Sequence, residues 1–163
     1  MRKALLAIAA LTIIPILLHA ADSPEPVTVP AGTKVILRAT EPITPRKVKT
    51  GEKLPFVVHE DVVIDGNVVI RAGTPAEVLV TDAQPASSWA SRQGRLDFTI
   101  EAVLAVDGTR VELKNYKDYA QLGVTPSFGH AYYSNPKIAR DQTFLAAVKN
   151  DTKVELKTPT EQK

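Results

Sequence analysis

The side chains able to do acid–base, nucleophilic or metal chemistry are few in this 163-residue chain, and their spacing does not suit it. There are three histidines, His19, His59 and His130, and no cysteine. His59-Glu60-Asp61 falls in a strand-like run, where consecutive side chains point to opposite faces, so the three cannot converge on one cation. His130 follows Gly129 in a tyrosine-rich stretch, and nothing in the spacing ties it to Tyr132 or Asp141 as a site. Ser87, Ser88 and Ser91 lie in a polar loop with neither a G-x-S-x-G elbow nor an S-x-x-K pairing, and Ser127 and Ser134 have no partnered base. Asp97 and Glu101 share a strand face, as a glycosidase pair could, but that face is opposite the apolar one, where solvated charges belong. The expectation is a non-enzyme: no catalytic residue, no metal, no cofactor.

Residues able to bind something are easier to find. TPRKVKTGEK holds Arg46, Lys47, Lys49 and Lys53, with Arg92 and Arg95 in a second polar stretch, a set that suits an anionic lipid or glycan or an acidic partner, or simply a solvated connection. No aromatic residue is interleaved with these bases, so the stacking platform of a nucleic-acid binder is missing. Trp89, the only tryptophan, sits among Ser87, Ser88, Ala90 and Ser91. A large aromatic on a polar loop buries much area at low entropic cost when it meets a partner. A second set, Tyr116, Tyr119, His130, Tyr132 and Tyr133, could line a pocket at a barrel mouth and hold a small ligand or glycan. The expected role is thus a protein-interaction module with an envelope partner, the alternative a ligand carrier.

The elements that must position these residues read as all-β. Leu96, Phe98, Ile100, Ala102, Leu104 and Val106 fall on every second position, the pattern of a strand with one face on a core. Asp65-Gly66 and Asp107-Gly108 each separate two apolar runs and supply the positive φ of tight hairpins. VPAGTKVILRA at 29–39, IRAGTPAEVLV at 70–80 and VKNDTKVELKT at 148–158 repeat one device: an apolar residue, a turn, a threonine, then a strand. In the third, Asn150-Asp151 stands where left-handed geometry is needed, which Asn and Asp also visit. Such corners suit a single small β-barrel or β-sandwich of about seven to nine short strands, the last of them closing the sheet. The β-domain is expected over 29–158, with a polar loop at 82–95, an irregular excursion at 115–143, one helical turn near Ile138–Val148, and a tail at 159–163. An excursion of that length in a compact domain is usually functional or disordered.

Residues 1–21 read as a signal peptide: Arg2 and Lys3, an apolar run from Ala4 to Leu18, and Ala20 or Ala21 before the cut. The run is short for a membrane-spanning helix, which needs about 20 apolar residues. Without Arg2 and Lys3 the basic count falls from 20 to 18, equal to the 18 acidic residues, so a general polyanion binder loses its support. Residues 22–28 form a proline-rich tether. The expected location is the periplasm or outside the cell, with no membrane insertion after cleavage. If the leader is retained, it tethers the domain to the inner membrane.

The order of marks from VPAGT through GEKLPFVVHEDVVIDGNVVIRAGTPAEVLVTDA to GRLDFTIEAVLAVDGTRVEL resembles an exported bacterial β-domain family of unknown function. More distantly it is similar to the C-terminal barrel of TrbI-type scaffold proteins of type IV secretion. The likeness covers 29–114. It implies a Greek-key-like β fold that builds rings in the cell envelope and carries no catalytic residues. The departures are a signal-like leader, a spacer of about nine residues and no later apolar segment able to insert, as a short tether and a soluble domain require.

Overall fold

The computed structural model describes residues 26–90, 92–116 and 135–156. They form ten strands: β1 Pro26–Val29, β2 Lys34–Ala39, β3 Phe56–Val58, β4 Val62–Ile64, β5 Asn67–Ile70, β6 Pro75–Gln84, β7 Arg95–Leu104, β8 Arg110–Asn115, β9 Thr143–Val148 and β10 Thr152–Glu155. Six of them close a barrel in the order β2-β3-β6-β7-β8-β9, every pair antiparallel, with β9 pairing back onto β2. β1-β10 and β4-β5 are separate two-stranded ribbons. The all-β expectation holds, and closure makes it a barrel. Neighbours around it follow chain order apart from the β4-β5 insertion, so the path is an up-and-down meander and not the Greek key implied by the family likeness.

β2 shows why these residues form wall strands. Val35, Leu37 and Ala39 are fully buried and alternate with Lys34, Ile36 and Arg38 on the outer face. At one level of the interior Phe56, Phe98 and Phe144 meet with ring centroids 5.4 to 5.9 Å apart, two of the three contacts edge-on. Tilted and edge-to-face pairs of this kind add about 0.5–1.5 kcal/mol each beyond area burial.

The ends of the barrel differ. At one, the closed end, the repeated device makes matching corners: Gly32 donates to the Val148 carbonyl while Val148 donates to that of Thr33, and Gly73 donates to Val58 while Val58 donates to Thr74. Both glycines have φ above 80°, which a side chain would strain. The third copy departs from this, for neither Asn150 nor Asp151 is left-handed. Asp151 instead accepts from Ala31 N at 2.7 Å, tying the third copy to the first. β10 then pairs with β1 outside the barrel, so β9 and not the last strand closes it. The two ribbons cover this end, with Val29, Val62, Val69, Ile70 and Val154 in the core cluster. Asp107 latches β10 by accepting from Glu155 N at 2.8 Å.

Several boundaries move. β1 begins at Pro26, inside the expected tether, because Val29 reaches the core and pairs with Thr152. β6 runs to Gln84 and β7 starts at Arg95, so the polar loop is shorter than 82–95. The stretch expected to hold a helical turn contains β9, and no helix occurs among the described residues. His59 to Asp61 follow the end of β3 as an exposed turn, not a strand: Asp61 Oδ1 accepts from Ala72 N at 2.6 Å. The leader, most of the excursion and the tail lie outside the described residues.

Candidate functional site

Following the strands from the closed end leads to one opposite end, where residues 40–55, 85–90, 92–94 and 135–142 lie. Every residue singled out for partner binding is here. A bulge marks the approach. Val80 pairs with Phe98 but Asp82 with Asp97, which leaves Thr81 unpaired. Arg95 lies between the facing carboxylates, 2.7 Å from Asp97 and 3.4 Å from Asp82. It is committed to the barrel wall. Asp97 and Glu101 have different partners: one holds Arg95, and the other is the extra residue of the β7 bulge, 4.0 Å from Arg110.

Between β6 and β7 the chain makes a narrow hairpin. Ser87 and Arg92 exchange backbone hydrogen bonds at 3.0 and 2.9 Å, and Ser87 Oγ accepts from Ala90 N. Trp89 stands in its tip, 98% exposed. The neck is held from the side by Asn135, whose Oδ1 accepts from Ala86 N at 2.7 Å. Three residues on, Ile138 exchanges backbone hydrogen bonds with Ile43, both at 3.0 Å, and is fully buried. A span of three residues is at most about 10 Å, so residues 135–138 join the hairpin neck to the basic connection.

That connection is fixed on its other side by β6: Gly51 donates to Val80 at 2.8 Å, Val80 to Glu52 at 3.0 Å and Leu54 to Val78 at 2.8 Å. Glu52 accepts from Lys49 N at 2.9 Å, closing the turn that carries the lysines outward. Arg46, Lys47 and Lys49 are exposed, as is Arg92. A groove of about 510 Å³ opens beside them, floored by Ile43 and Leu54, edged by Pro42, Val48 and Pro55, and bearing Glu41, Lys47, Glu52 and Lys53. Lys137 and Arg140 were not foreseen in this set. They flank Ile138, exposed, on the same side of the molecule. Only the pairing of Ile43 with Ile138 reveals this; the sequence signal, two cations around a buried isoleucine, is too common to act on.

The tyrosine set divides differently. Tyr116 lies at the end of β8 with Lys34 Nζ 5.9 Å from its ring centroid. Tyr119, His130, Tyr132 and Tyr133 lie outside the described residues. The phenylalanine triad fills the interior at the level of Leu37 and Val80.

No family model matches the chain, and no curated protein matches its sequence. Among solved structures the chain is similar to ComB10 of the Com type IV secretion system of Helicobacter pylori, with 12% identity, coverage of 81% of this chain and 93% of that one, and a TM-score of 0.47.

Proposed function

We propose that the chain is a non-enzymatic protein-interaction module of the bacterial cell envelope, accessory to a secretion or surface-assembly system. The observation that carries the reading is Trp89. A tryptophan held 98% exposed at the tip of a hydrogen-bonded hairpin contributes nothing to the core, and rigid exposed aromatics are what interfaces use as anchors. The signal-like leader and the family likeness in 29–114 supply the envelope setting. The test is a photo-crosslinking residue placed at position 89 or at Val63, the latter 52% exposed at the closed end. Discrete adducts with a second protein in intact cells are expected from position 89 alone. Adducts from neither position, or equally from both, refute the surface, provided Trp89→Ala melts like the parent, as an exposed site predicts to within about 0.5 kcal/mol.

A further inference from the structure

We infer that the Trp89 end docks an acidic, extended segment of a partner protein, an inference that rests on the interaction-module reading and specifies its chemistry. The observation is a local excess of unpaired cations. Arg38, Lys53, Arg95, Arg110 and Lys149 each meet a carboxylate within 4.0 Å, and away from the Trp89 end Lys34, Arg71, Lys114 and Lys153 have no carboxylate partner among the described residues. At the Trp89 end Arg46, Lys47, Lys49, Arg92, Lys137 and Arg140 are all exposed, and none has a carboxylate partner among the described residues.

These six cations come from three segments distant in sequence and gathered by the Ile43–Ile138 and Ala86–Asn135 contacts. The carboxylates nearby are largely spoken for. Asp82 and Asp97 hold Arg95, Asp141 holds Arg38, and Glu52 accepts from Lys49 N, which leaves Glu41 among the described residues. A rim of unpaired cations around an exposed indole sets up a positive field with a hydrophobic anchor, complementary to carboxylates flanking an apolar residue.

Shape selects protein over lipid. The groove of about 510 Å³ is concave, and no residue of the Trp89 hairpin lines it. An extended polypeptide can place a side chain in such a groove, which a flat bilayer cannot. Membrane docking also lacks its usual apolar face, since Trp89 is the one large hydrophobic side chain exposed at this end among the described residues.

The experiment measures fluorescence anisotropy of the purified protein with three probes: a labelled peptide alternating glutamate and leucine, its lysine-for-glutamate counterpart, and vesicles of phosphatidylglycerol in phosphatidylethanolamine. The acidic peptide is expected to bind and the basic one not. Lys47→Glu combined with Lys137→Glu should weaken the acidic peptide at least about tenfold and bring in the basic one, as charge complementarity requires. Lys153→Glu, at the closed end, should change neither. Equal affinity for both peptides, vesicle binding without peptide binding, or indifference to the charge reversal overturns the inference. If the charge reversal has no effect while crosslinks from position 89 persist, the acidic chemistry is wrong and the interaction surface stands. Absence of crosslinks from position 89 in the parent protein sinks both.

Discussion

Gly94→Ala tests how the Trp89 hairpin is held. A Cβ at residue 94 would stand 2.7 Å from Asn135 Oδ1, 2.9 Å from Asn135 Cα and 2.9 Å from Pro136 Cδ. The amide oxygen can swing aside, but the other two atoms belong to backbone and ring and cannot. Overpacking of this kind costs about 1–3 kcal/mol. The shift also breaks the 2.7 Å bond from Ala86 N to Asn135, worth about 1 kcal/mol, so the expected loss is about 2–4 kcal/mol. At about 4 °C per kcal/mol for a domain of this size, Tm should fall by roughly 10 °C. If the hairpin detaches instead, Tm holds and hydrogen-exchange protection at Ala86 disappears. Asn135→Ala removes only the hydrogen bond and should cost about 1 kcal/mol. In the Gly94→Ala background it relieves the nearest contact but not the other two, so the double variant stays less stable than Asn135→Ala alone. Gly94→Ala with Tm within about 2 °C of the parent and Ala86 still protected refutes the neck contact.

Phe144→Ala should lose about 3–5 kcal/mol in urea unfolding, because its ring meets Phe56 and Phe98 in a closed interior; a loss below 1.5 kcal/mol contradicts a filled barrel. Burial alone would raise the Asp107 carboxyl, but hydrogen bonds from Thr109 and Glu155 outweigh it and hold it below the usual aspartate range. A depressed carboxyl stabilises above its unfolded pKa of about 4 and loses that contribution as pH falls through the folded value, so acid below pH 4 should release β10, and Asp107→Asn should flatten unfolding curves there. Trp89 is the only tryptophan, and β1 enters at the closed end, so immobilisation through the N-terminal segment should leave its fluorescence open to acrylamide quenching; shielding there contradicts the topology.

What could be read from the sequence follows from where the chain keeps its period. The Asp-Gly hairpins and the AGT corners were legible because each needs a particular backbone geometry that few residues supply, and Asp65 with φ 49° beside Gly66 with φ 80° fulfils it. β7 was legible only in part. Leu96 and Ile100 are buried as the alternation predicts, but the bulge at Glu101 shifts the phase, burying Val103 and leaving Leu104 51% exposed. Residues 102–106 are all apolar, so no polar neighbour marked the change. β9 occupies the stretch expected to hold a helical turn: Ala146 and Ala147 favour helix, and the barrel's need for a closing strand overrides that preference. Trp89 and Arg46, Lys47 and Lys49 were legible as exposed candidates, whereas Arg95 was not distinguishable from Arg92 without knowing that Asp82 and Asp97 face each other.

The regular signals and the ambiguous ones fall at opposite ends of the same barrel, and there is a physical reason for it. The closed end is where strands are turned by tight corners and sealed by two ribbons whose valines are buried, so sequence there is constrained by backbone geometry and packing. The Trp89 end is built from longer connections held by a few specific contacts: Ile43 with Ile138, Asn135 with Ala86, and Gly51 with Val80. Between those contacts side chains face solvent and are free to carry charge and an indole without loss to the core. The buried anchors Ile43, Leu54 and Ile138 hold these connections, so substitutions of the solvent-facing side chains between them, Trp89 and Lys47 included, should leave folding unchanged.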